Sequence, residues 1–222
     1  MICDKNPQKI KKMFNEIAPY YDLMNNKISL NTHYLIKMLA IKKLNIKPNS
    51  LTLDICCGTG DFSRIINKLY PKTKVIGLDI SENMLQIAKS KNPQMVFIQG
   101  DCTSLAFKNN EFDYITIGFG LRNIENRTLA LSEIYRTLKP EGLFLHLDFG
   151  THNLLSKIFD SIVPLMVKIA GKKNEHYKYL LDSKKDFPAP KELIKEFENQ
   201  GFKFVKRYDY MFGIISAQIM KK

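Results

Sequence analysis

Leu53-Asp54-Ile55-Cys56-Cys57-Gly58-Thr59-Gly60-Asp61 is the stretch on which the fold turns. An apolar run ends in an acid, passes through a loop with two glycines, and leads into the amphipathic run 62–69. That order reads as strand, tight turn and helix, with Asp61 as the expected N-cap. Gly58 and Gly60 allow the backbone to turn and to approach a ligand closely, and the helix start offers free N–H groups to a nucleotide.

Working outward, short apolar runs alternate with longer amphipathic ones. Strands are expected at 51–55, 74–78, 95–98, 114–117 and 143–149, with helices at 82–89 and 129–138. Ser81 is a further N-cap, and Pro71, Pro93 and Pro140 are expected stops. Strands joined by helical crossovers make a doubly wound, Rossmann-like α/β sheet. Residues 191–200 read as a helix closed by Gly201, and 202–210 and 214–220 as two strands joined across Gly213. An antiparallel C-terminal hairpin then brings the sheet to seven strands.

Ahead of the sheet, Ile10, Met13, Phe14 and Ile17 recur at helical spacing. Ile28, Leu35, Met38 and Leu39 do so again after a break at Ala18-Pro19-Tyr20-Tyr21. Residues 152–171 place Leu154, Leu155, Ile158, Phe159, Ile162, Val163, Met166 and Ile169 on one helical stripe, kinked at Pro164. The expected organisation is one domain over 1–222: helices 1–50 as a substrate cap, a cofactor-binding core 51–150, an amphipathic cap insertion 151–190, and a helix and hairpin 191–222.

With 222 residues and 45% apolar content, one sizeable core is expected. No apolar run approaches the roughly 18 residues of a spanning helix, and the lysine-bearing N-terminus has no apolar run behind it, so no signal peptide is read. A cytoplasmic protein is the expectation, peripheral on a membrane face, with plastid stroma as the alternative for an organelle-encoded chain. Cys3, Cys56, Cys57 and Cys102 have neither zinc-cage nor disulfide spacing, so no metal is expected and the cysteines read as packing residues. The net charge of +12 is unevenly placed: Lys and Arg outnumber acids 9 to 3 in residues 1–50 and 14 to 8 in 151–222, and balance them in 51–150.

Two more acids follow strands two and three. Asp79 is placed to accept from ribose hydroxyls, and Asp101, in Gln99-Gly100-Asp101-Cys102, from an adenine amino group. A dehydrogenase fingerprint would need a third glycine where Ser63 stands, and Asp54 beside the loop suits a cationic amino-acid moiety better than a pyrophosphate. Three acids at successive strand ends point to S-adenosylmethionine (SAM) and a class I SAM-dependent methyltransferase fold, against a reading in which the acids are merely solvated strand ends.

Tyr21-Asp22-Leu23-Met24-Asn25 with Ser29 and His33, then Phe112 to Asn123 ending in Gly120-Leu121-Arg122-Asn123, then Arg136-Thr137-Leu138-Lys139-Pro140-Glu141-Gly142, carry a resemblance. The chain resembles, over nearly its whole length, the ubiquinone/menaquinone-type quinone C-methyltransferases. It departs from that family's pattern at Ile36, where an aromatic is usual, and at Glu141, commonly glycine. Leu147-Asp148-Phe149, with Asp148 in place of a glutamate, and Phe187-Pro188 lean toward the phylloquinone (2-phytyl-1,4-naphthoquinone) branch beside the demethylmenaquinone branch.

The resemblance implies transfer of a methyl from SAM to a ring carbon of a demethylated prenyl-naphthoquinol, closing phylloquinone or menaquinone biosynthesis. It implies cofactor contacts at Thr59, Asp79, Asp101, Cys102 and Gly118, beside Asp54, Gly58 and Gly60 from the loop itself. Tyr21, Asp22, Asn25 and His33 would meet the substrate. His33 would take a proton or hold a quinol oxygen, and Arg122, aided by Asn123, would stabilise a developing phenolate. Plainer roles stand beside these: a surface histidine, a turn at Tyr21-Asp22, a salt bridge from Arg122 to Glu125.

A prenylated substrate makes peripheral membrane contact through the basic flanks and the 154–169 stripe an expectation, with homodimer packing of that stripe the other reading. A benzoquinol acceptor and a non-catalytic SAM-binding scaffold in a quinone-making complex also stay open. Nucleic acid is not an expected partner: no Asn/Asp-Pro-Pro-Tyr loop or Pro-Cys nucleophile is present, and the neutral centre breaks any phosphate track.

Overall fold

The computed structural model of the chain describes residues 4–151, 156 and 175–222. Helices α1 (Pro7–Ile17), α2 (Tyr21–Ser29) and α3 (Thr32–Lys42) precede the sheet. Then follow β1 (Leu51–Ile55), α4 (Asp61–Leu69), β2 (Lys74–Asp79), α5 (Glu82–Lys91), β3 (Val96–Gln99), β4 (Phe112–Gly118), α6 (Arg127–Thr137) and β5 (Leu138–Phe149). Last come α7 (Glu175–Lys185), α8 (Pro190–Asn199), β6 (Lys203–Tyr210) and β7 (Ile215–Lys221).

The seven strands lie in the order β3-β2-β1-β4-β5-β7-β6. The first five are parallel, and β7 runs antiparallel to both β5 and β6, as the expected C-terminal hairpin requires. The chain enters at the sheet centre with β1, moves outward to β3, and returns to β4 on the other side of β1. The crossovers therefore diverge beyond Ile55 and Ile117, which are register partners, and leave a crevice at the carboxyl ends of β1 and β4.

Alternation within the strands divides the core. Leu53, Ile55, Ile115, Ile117 and Phe144 pack on one face with Leu131, Ile134, Leu193 and Phe197 from α6 and α8. Tyr114, Leu145, Leu147, Ala217 and Ile219 pack on the other with Ile36, Ala40 and Ile41 of α3 and Ile66 of α4.

Three local expectations are corrected. Gly60, in the left-handed region at φ +83°, takes the N-cap position of α4, and Asp61 becomes its first residue, ion-paired to Lys37 at 2.8 Å. Ser81 does cap α5, accepting from the Met84 amide. Pro140 does not follow the helix at a distance but lies inside β5, exposed, where the ladder to β4 skips from Leu138 to Leu143 and no amide is demanded of it. The apolar set Ile28, Leu35, Met38, Leu39 is not one face: Leu30 and Asn31, both left-handed, split it into two helices. The buried stripe of α3 is His33, Ile36, Lys37, Ala40 and Ile41, and Leu35 and Leu39 are exposed. The 154–169 stripe lies outside the described residues apart from Ser156, whose hydroxyl accepts from Lys184 at 2.8 Å. Among the described residues no helix is long and apolar enough to cross a membrane.

Candidate functional site

The crevice beyond β1 and β4 is shaped by the loop that follows β1. Cys56 and Gly58 each have φ of +54°, so the chain reverses within four residues of the strand end. A Cβ at Gly58 would meet nothing within 4 Å, because this residue faces open space. Gly118 is glycine for the opposite reason: a Cβ there would lie 2.4 Å from the Phe62 ring, which packs against the end of β4.

Asp54 is buried beneath the loop. It accepts from the Ser63 amide at 3.0 Å, the Ser63 hydroxyl at 2.6 Å and the Thr116 hydroxyl at 2.9 Å, which ties β1 to α4 and β4. Burial lifts its pKa to about 6 against those three donors. Most of its acceptor capacity is therefore engaged within the protein. Asp79 accepts from the Gly58 amide at 2.8 Å and the Ser81 amide at 2.9 Å, and burial raises its pKa also. Asp101 uses one oxygen, Oδ1, for the Thr103 amide and hydroxyl, both at 2.8 Å.

Two clefts adjoin here. The first spans about 980 Å³, the open space at its mouth included, and is walled by Gly58, Asp79, Ile80, Asp101, Cys102 and Asn123, with Phe14 of α1 and Met84 of α5. The second spans about 1490 Å³, again with the open space at its mouth, and is mainly apolar, walled by Ile28, Leu30, Ile36, Phe62, Phe149, Met211, Ile214 and Ile215. Tyr21, Cys56, Gly58, Gly118 and Phe119 line both and so form the window between them. Phe119 is held there at φ +60° by a bond from its amide to Leu147 O at 2.7 Å.

The polar groups of the second cleft are few and buried. His33 Nε2 bonds Asn26 Oδ1 at 2.8 Å, while Nδ1 is buried without a partner. Burial first, and the charge of Lys37 second, push its pKa down to about 4, so the ring is neutral at neutral pH. Lys37, one helical turn on, pairs with Asp61 on the same wall. Arg122 donates to Phe119 O at 2.6 Å and to both oxygens of fully buried Asp148 at 2.9 and 3.2 Å. Its Nε is buried without a partner, and its guanidinium stands 5.3 Å from the Phe149 ring centroid.

The expected residues thus divide. Gly58, Asp79, Asp101, Cys102, Gly118 and Asn123 line the first cleft, and Asp54, Thr59, Asn25, His33 and Arg122 the second. Gly60 turns the loop from behind, against Phe97 and Ala88. Asp22 lines neither: it accepts from the Thr59 hydroxyl at 2.6 Å and pairs with Lys91, latching α2 to the loop and to α5. Arg122 pairs with Asp148 and not Glu125, and Asn123 shares the Phe119 carbonyl with it, donating there at 3.4 Å and accepting from Tyr179 at 3.0 Å. Of the groups met here, Lys37 and Tyr179 carry no expectation from the sequence, while Asp61 is expected there only as a helix cap and Asp148 only as a departure from the family's glutamate. Lys37 was the one with a signal, since it follows His33 at i+4 on one helix face.

The first cleft fits SAM. Asp79 and Asp101 keep acceptor sites for hydroxyl and amino groups, and Gly58 leaves the wall open where any side chain would intrude.

The relatives agree. The demethylmenaquinone methyltransferase of Oceanobacillus iheyensis is 36% identical, with 96% of this chain and 94% of that protein covered. That of Staphylococcus carnosus is also 36% identical, over 96% of this chain and 92% of its own. Among solved structures, a SAM-dependent methyltransferase of Thermotoga maritima matches with a TM-score of 0.71 at 21% identity, over 96% of this chain and 99% of its own. One of Methanococcus maripaludis matches at 0.67 and 22% identity, over 94% and 93%. These two speak for the fold. The model of the ubiE/COQ5 methyltransferase family matches residues 2–222. With its paired clefts and this match along almost its entire length, the chain is a SAM-dependent methyltransferase and belongs to the ubiE/COQ5 methyltransferase family.

Proposed function

We propose that this protein methylates a ring carbon of a demethylated prenyl-naphthoquinol, demethylmenaquinol in the first place, in the last step of menaquinone synthesis. The observation that carries the reading is the window: a cleft with acids and a mainly apolar cleft meet at Tyr21, Cys56, Gly58, Gly118 and Phe119. The names of the relatives support the naphthoquinol ring. SAM, when bound, supplies a methyl group already activated by its sulfonium.

The chain's own residues then align, dry and polarise the acceptor. A 1,4-quinol has a hydroxyl at each end. Two residues that line the second cleft carry buried unpartnered atoms of opposite kind, the acceptor His33 Nδ1 and the donor Arg122 Nε, suited by chemistry to one hydroxyl and one oxyanion respectively. With its basicity depressed, His33 orients the hydroxyl more than it removes the proton. Arg122, fixed by Asp148, favours the ionised oxygen that makes the ring carbon nucleophilic. Asp79, Asp101, Cys102, Gly58 and Gly118 would hold the cofactor, and the prenyl tail would leave through the apolar wall at Leu30 and Met211 toward a membrane.

The test is calorimetry with SAM followed by methyl transfer to a short-tailed demethylnaphthoquinol. Binding with turnover supports the reading; binding without turnover would assign a scaffold. Turnover only on a demethylated benzoquinol would replace the ring. Mass spectrometry of the quinones accumulating without the protein separates a demethylmenaquinone from a demethylphylloquinone substrate.

A further inference from the structure

We propose that the rim of the second cleft, formed by Leu30 and the Met211-Phe212 turn, seats in the interfacial layer of an anionic lipid bilayer, so that the cleft opens onto the membrane. This deepens the function proposed above and rests on it for the choice of a lipid-soluble substrate.

Leu30 and Asn31 follow α2 with φ of 48° and 63°, and Met211 and Phe212 follow β6 with φ of 49° and 54°. A left-handed backbone disfavours leucine, methionine and phenylalanine, and water offers nothing to such side chains. Both turns nevertheless hold them outward: Leu30 is 75% exposed and Phe212 85%. The turns come from opposite ends of the chain, yet Leu30 and Met211 line the same cleft. Strained turns that present large apolar groups around the mouth of an apolar cleft mark a contact surface.

Charge identifies the partner. The whole excess of +12 resides in residues 1–50 and 151–222, the segments that supply both turns. Lys27 stands in the last turn of α2 just before Leu30. Lys43, which ends α3, and Lys206 of β6 stand 5.0 and 5.7 Å from the Tyr208 ring, on the strand that runs into Met211. Apolar tips with Lys27, Lys43 and Lys206 on the elements that lead to them, and with the nearest acid, Asp209, neutralised by its ion pair with Arg207, match an anionic bilayer surface, whereas a second copy of this chain would bring like charges together.

The chain contains no tryptophan, so Phe212→Trp is a single reporter. On mixed phosphatidylglycerol and phosphatidylcholine vesicles its emission should shift to the blue and be quenched by brominated acyl chains. Phe212→Asn, a residue that tolerates the left-handed backbone, should bind those vesicles about tenfold more weakly, the loss expected for removing one apolar anchor. Its turnover on a soluble short-tailed demethylnaphthoquinol should stay at the wild-type rate. Unshifted emission with unchanged Phe212→Asn vesicle binding, alongside normal turnover, would overturn the docking surface and leave the function intact. Insertion of the reporter without turnover would do the reverse. A dimer abolished by Phe212→Asn in sedimentation, with no vesicle binding, would overturn the surface in favour of a second copy.

Discussion

Arg122 and Asp148 form a buried ion pair, their side chains 8% and 0% exposed. A guanidinium taken from water needs a counter-charge, and Asp148, with no exposed surface, supplies it through one nitrogen while Nε is left without a partner. Such an arrangement adds little to stability and much to preorganisation. Arg122→Met should lower kcat by about 100-fold, the usual effect of losing one aimed donor, while the SAM affinity measured by calorimetry stays unchanged because Arg122 lines the other cleft. His33 gives a pH prediction. Its folded pKa of about 4 lies below the ordinary histidine value of 6.5, so the unfolded chain binds more protons between these values. Wild-type stability should therefore fall, relative to His33→Gln, as pH drops from 6.5 toward 4, and its imidazole resonances should titrate near 4. Replacing Lys37 by Met should move that midpoint upward, since its charge is the second cause of the depression.

At the scale of elements, the loop between β1 and α4 is where backbone geometry becomes a binding surface. Gly58→Ala places a methyl where the protein has no atoms within 4 Å but in a left-handed conformation. The strain should cost about 1 kcal/mol in urea unfolding, while the affinity for SAM falls by a larger factor, because the methyl stands in the first cleft. Equal losses in both measurements would mean that Gly58 serves the turn alone. Polar latches add to the burial that joins the first two helices to the core, where Ile17 and Ala18 cluster with Met84. Asn15 Oδ1 accepts from the Ser81 hydroxyl at 2.7 Å, and Asp22 joins Thr59 to Lys91. Through these latches α1 and α2 bring Phe14 and Tyr21 against the first cleft.

For the whole molecule, the first cleft draws its walls from α1, from the loops after β1, β2, β3 and β4, and from α5, so a ligand there bridges many elements of the chain. A ligand that binds only the folded state at about 100 times its Kd adds about 2.7 kcal/mol. Saturating SAM should thus raise Tm by roughly 5 to 10 °C in a chain of this size, a shift that calorimetric scanning would read directly. Phe212→Asn should show the same shift as wild type, and Gly58→Ala a smaller one at equal SAM.

Alternation of short apolar and amphipathic runs from Leu51 onward was enough for the sheet, its parallel half and its closing hairpin, because strand and helix periods are local properties of the chain. The glycines and strand-end acids pointed, for the same reason, to the cleft that Gly58, Asp79 and Asp101 line. What only the tertiary structure decided is which group each polar residue meets. Asp148 lies 26 residues from Arg122 and Asp61 lies 24 from Lys37, and neither partnership leaves a periodic trace. The division of neighbouring Arg122 and Asn123 between two clefts depends on a turn at Leu121–Asn123, and the buried face of α3 on the break at Leu30. Local pattern specifies elements; the pairing of distant charges and the meeting of two clefts at one window exist only when the sheet is assembled.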